Sequence, residues 1–314
     1  MSCSKKSKNN EFLELIAWGR VELLRAGIEE AQEECERILM KLLGCSRSGI
    51  YLKEHEISAS GVRENFLIVI EKRIQRIPLA YLLKEADFWQ ETLFVDERCL
   101  IPRPETEILI EQVLKALGEK ARAGFSFLDI GTGSGAIAIA LLRACKNSKG
   151  LLLDISDGAL EVARSNVEKY SLQNRAMIVR KDIFDFLGTR DSGPGTCEKA
   201  AKQGTSPEEQ VPVFDLIVSN PPYLSEMDWN DVQEELKHEP KSALDGGKDG
   251  LEFYRRIVTG AQSHLIPGGL LALEVGLGQA EMVSKWLQEA GYDNIQRFND
   301  HLQVQRVVMA QRNS

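Results

Sequence analysis

Residues 125–135 read Phe-Ser-Phe-Leu-Asp-Ile-Gly-Thr-Gly-Ser-Gly, an apolar strand that runs straight into a glycine-rich turn and then into the helical run Ala136–Ala144. Glycine is the residue that lets a chain bend sharply and reach backbone conformations closed to other side chains. A strand, a glycine turn and a helix in that order place a ligand at the helix N-terminus, where unpaired N–H groups and a partial positive charge suit a carboxylate or a phosphate. The obvious rival is a dinucleotide turn with G-x-G-x-x-G spacing. Here the third glycine arrives one residue early, and Asp129 stands two residues before the first. Donors and a nearby acceptor together suit S-adenosylmethionine, which carries a carboxylate and an amine on the same carbon.

Working outward, the chain on both sides of this turn alternates short apolar strands with helices. The strands are FSFLDI, GLLLDI, MIVRKDI, FDLIVSN and GLLALEVG, with helices over Ala136–Ala144, Gly158–Tyr170 and Leu251–His264 between them; NIQRFND and VQRVVMAQ close the chain as a strand pair. This is the pattern of a mostly parallel α/β sheet. Upstream the period changes. Phe12, Leu13, Leu15 and Ile16, then Ile28, Ala31, Cys35, Ile38, Leu39, Leu42 and Leu43, recur near helical spacing, with Gly44 placed to end a helix. Residues 11–85 therefore read as a small helical bundle. Residues 86–104 read as a β-hairpin linker ending at Pro102 and Pro104, and Pro104 suits the first turn of a helix running to Leu117. The α/β domain takes up 105–314. Residues 1–10 read as a disordered leader, and 188–210, almost without large apolar side chains, as a disordered loop.

Two strand ends add carboxylates to the glycine turn. Asp154 closes GLLLD, where it can accept two hydrogen bonds from ribose hydroxyls, although it can equally help cap the helix that follows. Asp182 closes the next strand, at an edge where a carboxylate can meet an adenine amino group while Ile183 or Phe184 covers the ring. Phe184 can equally pack in the core.

The most telling segment is Asn220-Pro221-Pro222-Tyr223, directly after FDLIVS. Strand C-termini in open α/β sheets line the ligand crevice. Two prolines stiffen the backbone and remove two N–H donors, so the motif offers carbonyl acceptors, one amide side chain and an aromatic face. That set fits a planar –NH₂ group. Asn220 and the Pro221 carbonyl can each accept one N–H while Tyr223 stacks on the plane. An amide nitrogen is a poor nucleophile because its lone pair is delocalised. Holding both hydrogens aligns it and favours its more nucleophilic, pyramidal form.

Composition narrows the class further. The chain has 314 residues, is 43% hydrophobic and carries net charge −8. No apolar run approaches the ~20 residues needed to span a bilayer, and MSCSKKSKNNEF has no secretory apolar core. Six scattered cysteines and four isolated histidines give no metal cluster and read as reduced thiols of a cytoplasmic protein. The acidic balance argues against a protein whose main task is gripping nucleic acid.

The order D-x-G-x-G-x-G, acidic strand end, N-P-P-Y resembles class I methyltransferases that act on amide or exocyclic amino nitrogens. IPRPETE at 101–107, FDLIVSNPPY at 214–223, SALDGGKDGLEFYRRI at 242–257, IPLAYL at 77–82 and the helical segment LLRAGIEEAQEECERILMKLLG are similar to the PrmC/HemK family. The resemblance implies a Rossmann-like, mostly parallel seven-stranded sheet behind an N-terminal substrate-recognition domain. It implies methyl transfer from S-adenosylmethionine to the glutamine of the Gly-Gly-Gln motif in peptide chain release factors, supporting translation termination, by a monomer with no membrane or direct nucleic-acid partner. On this likeness Asp129, Gly131, Thr132, Gly133, Ser134, Gly135, Asp154, Asp182, Ile183 and Asn220 hold the cofactor. Asn220, Pro221, Pro222 and Tyr223 hold the glutamine, with Asn220, Pro221 and Tyr223 catalytic, and Arg103 and Glu105 form the wall. The chain departs from the family at Ile183, a position often aromatic, in the longer 188–210 loop, and in the tail HLQVQR, which lacks the usual glycine-rich form. A nucleobase amine or a ribosomal-protein glutamine are the other acceptors such a pocket admits.

Overall fold

The computed structural model describes residues 7–52, 61–188 and 212–313, which form two compact units. The first comprises the chain up to Glu85 together with the short segment Gln233–His238. Its helices are α1 (Ser7–Arg25), α2 (Ala31–Leu43), α3 (Arg47–Leu52), α4 (Val62–Ile74) and α5 (Leu79–Leu83). The expected leader is thus helical from Ser7, since the run anchored by buried Phe12, Leu15 and Ile16 propagates toward the N-terminus. Residues 1–6 lie outside the described part. Gly44 ends α2 in the left-handed region, φ 63°, as its position predicts. Cys35, Ile38, Leu39, Phe66 and Ile70 are fully buried between α1, α2 and α4. Beside this core, buried Arg73 pairs with Glu34 at 2.8 Å and with Glu235 at 3.0 Å, and Arg76 also reaches Glu235, at 2.8 Å. A guanidinium taken out of water needs such partners.

The second unit opens with a hairpin, β1 (Ala86–Phe88) and β2 (Glu91–Leu93). Phe88 and Leu93 are buried in the same core as the sheet that follows, so the hairpin packs as part of this unit. Then come α6 (Pro104–Leu117), α7 (Lys120–Ala123), β3 (Ser126–Ile130), α8 (Ala136–Ala144), β4 (Lys149–Asp154), α9 (Asp157–Lys169), β5 (Ala176–Arg180), α10 (Ile183–Phe186), β6 (Phe214–Ser219), α11 (Glu252–Ala261), β7 (Leu265–Glu274), α12 (Ala280–Glu289), β8 (Tyr292–Asn299) and β9 (Gln305–Arg312). Apart from Gly188, the 188–210 stretch falls outside the described residues.

The seven strands run in the order β5-β4-β3-β6-β7-β9-β8. The first five are parallel, and β9 and β8 are added antiparallel. This is the mostly parallel α/β sheet that the residue pattern predicts, with the seven strands that the family resemblance implies. Because alternate side chains point to opposite faces, Phe127, Leu152, Leu216, Val218 and Ala272 pack on the face covered by α6 and α8. Leu128, Ile130, Leu153, Ile217, Leu271 and Leu273 pack on the face covered by α11 and α12. Both faces being covered explains why the strands read as near-continuous apolar runs. The chain winds from β3 out to β5 and returns to place β6 on the other side of β3. That reversal opens a crevice at the strand C-termini between β3 and β6. Among the described residues no helix is long and apolar enough to cross a membrane.

Candidate active site

The glycine turn leaves β3 at this crevice. Gly131, Gly133 and Gly135 have φ of 68°, 55° and 82°. A side chain at Gly131 or Gly133 would meet no clash, so glycine is required there for its backbone conformation and not for space. The turn's amides are used differently from the expectation. Gly131 and Thr132 donate to the Leu153 carbonyl at 2.8 and 3.0 Å, Gly133 to an Asp154 carboxylate oxygen at 2.9 Å, and Gly135 to the Thr132 carbonyl at 2.8 Å. Of these four donors, expected to face an anion, three instead lock the turn onto β4 and the fourth closes the turn on itself. Asp129 points into the protein and accepts the Thr132 hydroxyl at 2.6 Å. It is fully buried, and burial pushes its carboxyl up to about 7, against the hydrogen bonds from Thr132 and the Ala138 amide.

Asp154 also accepts the Ser156 N–H at 2.9 Å, while Ser156 itself caps α9 by accepting from Ala159. The cap is therefore one residue pair beyond the carboxylate, which is left braced between two turns. Burial raises its pKa. Asp182 caps α10 by accepting the Phe184 N–H at 2.8 Å. The Ile183 side chain is buried in the core on the α11–α12 face, while half-buried Phe184 lies 5.5 Å from Phe253, with the Arg256 guanidinium over its ring. Two carboxylates, Asp129 and Asp154, thus hold the turn, and Asp182 follows β5, the strand next to β4. Such a set repels a pyrophosphate and fits a ligand with a hydroxyl pair, an amine and a positive sulfur. The residues present fit S-adenosylmethionine.

Register sets the acceptor motif beside this turn. Ile130 pairs with Ser219, and the Ser219 hydroxyl donates to the Ile130 carbonyl at 2.8 Å. Gly131 and Asn220 consequently leave neighbouring strands at the same level. Asn220 Nδ2 donates to Thr106 Oγ1 at 3.1 Å. Tyr223 is half-buried, and burial together with the Glu274 charge pushes its phenol up to about 12, so it stays neutral. Its carbonyl accepts from Gln279 Nε2 at 2.9 Å, and the same Gln279 nitrogen reaches the Gly250 carbonyl at 3.2 Å. A Cβ on Gly250, φ 74°, would lie 2.4 Å from the Tyr223 carbonyl oxygen. The glycine segment 246–250 is therefore a brace pressed against the backbone of the acceptor motif. Pro221 is buried and Pro222 half-buried.

Arg103 precedes α6, and its guanidinium pairs with Glu239, whose side chain is buried and also accepts the Ile101 N–H at 3.0 Å. Glu105 and Glu107 occupy the first turn of α6 behind Pro104. Glu107 is spent on the Trp89 N–H at 2.8 Å. Four residues here are absent from the sequence-based list: Thr106, Glu239, Glu274 and Gln279. Glu274 carries a readable signal, since it ends an apolar strand as Asp154 does. Thr106 lies within the IPRPETE stretch, but nothing there tells its hydroxyl from a helix-start residue; Glu239 and Gln279 carry no signal, because only tertiary packing brings them to the motif. Among the described residues no group of three or more His, Cys, Asp or Glu side chains could hold a metal ion.

A family profile described as the PrmC N-terminal domain matches residues 14–83, and one described as the methyltransferase small domain matches 104–191. A Geobacter sulfurreducens protein named release factor glutamine methyltransferase is 34% identical, the alignment covering 94% of each chain. A Caulobacter vibrioides protein of the same name is 34% identical over 92% of each. Among solved structures, the hMettl16 catalytic domain in complex with a MAT2A 3'UTR hairpin superposes with TM-score 0.52 at 16% identity, covering 71% of this chain and 76% of that one. That likeness is one of fold.

Proposed function

The chain belongs to the release factor glutamine methyltransferase family, and from that premise we propose that it methylates the side-chain amide nitrogen of the glutamine in a release factor's Gly-Gly-Gln loop. The observation that carries this reading is the β3–β6 register, which brings the glycine turn and Asn220-Pro221-Pro222-Tyr223 out of the sheet side by side. S-adenosylmethionine, when bound, supplies a methyl group on a positively charged sulfur that departs as a neutral thioether. Asp154 would hold its ribose hydroxyls, with Asp182 and Phe184 toward the adenine, and the Gly131–Gly135 turn its amino-acid end. Beside them the Asn220 side-chain oxygen and the Pro221 carbonyl accept the two N–H bonds of the substrate amide, and the Tyr223 ring lies against its plane. The amide oxygen and carbon stay planar while the nitrogen is aimed along the line of the departing sulfur. Orientation of this kind is worth several powers of ten in rate. Once methylated, the amide nitrogen gives up one of its two protons to solvent; the Tyr223 phenol, which keeps its own proton, is no base for it. Arg103 and Glu105 form the wall, with Arg103 held in place by Glu239.

This reading makes the protein a cytoplasmic monomer acting on a protein partner. Sedimentation of the purified chain checks the monomer. Incubation with methyl-labelled S-adenosylmethionine and a purified release factor is expected to label the Gly-Gly-Gln glutamine. Label found only on RNA or DNA, or no label at all, overturns the assignment.

A further inference from the structure

Asn220 can serve as an acceptor only if its side-chain oxygen, and not its –NH₂, faces the substrate nitrogen. The two ends of a side-chain amide are the same size, so shape alone does not choose between them. We infer that Thr106 and Glu274 are positioning residues that make this choice, a role that rests on the acceptor function proposed for Asn220. Glu274 Oε2 lies 2.6 Å from Thr106 Oγ1. A carboxylate has no proton to give, so it takes the single hydroxyl proton of Thr106. Thr106 Oγ1 then meets Asn220 as an acceptor, 3.1 Å from Nδ2. The relay commits the nitrogen end of Asn220 to the protein and turns Oδ1 to the other side. The flipped amide would set its oxygen against a hydroxyl oxygen with no proton left to share, and would present a donor to a donor at the substrate.

The fold builds the relay for this geometry. Glu274 is the last residue of β7, and Ser219 of β6 pairs with Leu273, so Asn220 and Glu274 follow one another across the sheet. Both fall on the face that α6 covers, where Thr106 occupies the first turn of the helix. Thr106 and Glu274 are 3% and 1% exposed, dry enough for the chain of hydrogen bonds to be strong. The Tyr254 hydroxyl donates to the Glu274 carbonyl at 3.0 Å and anchors its backbone. The charged groups around the Glu274 carboxyl are Glu105 and Arg103 at the start of α6 and Arg306 at the start of β9, with the phenols of Tyr223 and Tyr254 facing it as well. Burial pushes that carboxyl up to about 7, so it is ionised at the alkaline side of neutrality.

Three full-length variants test the relay. Thr106→Val keeps the shape and removes the hydroxyl, Thr106→Ser keeps the hydroxyl, and Glu274→Gln removes the titrating carboxyl. Thr106→Val is expected to lower kcat on the release factor about 30-fold or more, with KM and the Kd for S-adenosylmethionine changed less than about threefold, while Thr106→Ser stays within about threefold of wild type. Wild type is expected to gain kcat as pH rises through about 7, and Glu274→Gln to lose that limb. A wild type active on the release factor with a Thr106→Val variant equally active overturns the relay and leaves the proposed function standing. A wild type inert on the release factor overturns the proposed function, and the relay is then decided by the Asn220 side-chain amide resonances in ¹⁵N-labelled protein, identified by their loss in Asn220→Asp. Slow exchange of these protons with water in wild type and Thr106→Ser, and fast exchange in Thr106→Val, supports the relay; identical spectra in all three overturn it.

Discussion

Asn220 carries an oxygen and an –NH₂ on one carbon, and only the oxygen suits a nitrogen that still holds its protons. Removing that group leaves the glycine turn and the three carboxylates untouched. Asn220→Ala is therefore expected to lower turnover about 100-fold or more while the Kd for S-adenosylmethionine stays within about threefold, since the lost contact forms to the acceptor and not to the cofactor. Isothermal titration beside a methyl-transfer assay checks both halves. Equal loss of cofactor binding would make Asn220 a cofactor or folding residue. At this scale the sequence is informative where chemistry is local. Two prolines flanked by Asn and Tyr announce an acceptor pocket, and three glycines announce a strained turn. It is uninformative at Thr106, one hydroxyl in the first turn of a helix, whose meaning comes entirely from what lies above it.

Elements are held to the site by a few buried polar side chains. Asn166 on α9 is fully buried; its Oδ1 accepts the Phe94 N–H at 2.7 Å, and its Nδ2 donates to the Phe94 carbonyl at 2.8 Å and the Ser134 carbonyl at 2.9 Å. One side chain thus ties the segment after the hairpin to the glycine turn. Asn166→Leu would leave three backbone groups without partners and is expected to cost about 3 kcal/mol, at 1–3 kcal/mol for each buried polar group left unpaired and partly relieved by relaxation. Thermal unfolding should show a fall of several degrees, and S-adenosylmethionine should bind more weakly because Ser134 lies in the turn. A variant as stable as wild type would mean the two elements are held by packing alone. Helix ends and strand runs were legible beforehand, as Pro104 at the start of α6 and Gly44 at the end of α2 show. The use of the turn's amides was not, because their acceptors, Leu153 and Asp154, belong to a different strand.

Across the whole molecule, burial of carboxylates in the α/β unit sets how stability responds to pH. Asp129 and Glu274 are raised from ordinary carboxylate values to about 7, and Asp154 is raised as well. A carboxyl whose pKa is higher folded than unfolded binds protons more tightly in the native state. Its stabilising contribution is complete below about pH 4 and is lost as pH rises through about 7. Carboxylates shifted the other way, such as Glu235 and Asp249, contribute above their unfolded values and lose that contribution only as pH falls below about 4. The melting temperature is therefore expected to decline between about pH 5 and 7.5, and Glu274→Gln to flatten part of that slope; an unchanged slope in the variant would place the effect elsewhere. By itself the sequence determined the alternation of strands and helices, the helical bundle before it, the glycine turn and the acceptor motif, because each is written in residues adjacent along the chain. Only the tertiary structure decided that β6 returns beside β3, that Ser219 pairs with Ile130 and so sets Asn220 level with Gly131, and that Glu274 and Thr106 close behind it. Strand order and register are settled by which apolar faces are buried together, and that choice is made between residues far apart in the chain, 89 positions for Ile130 and Ser219 and 168 for Thr106 and Glu274.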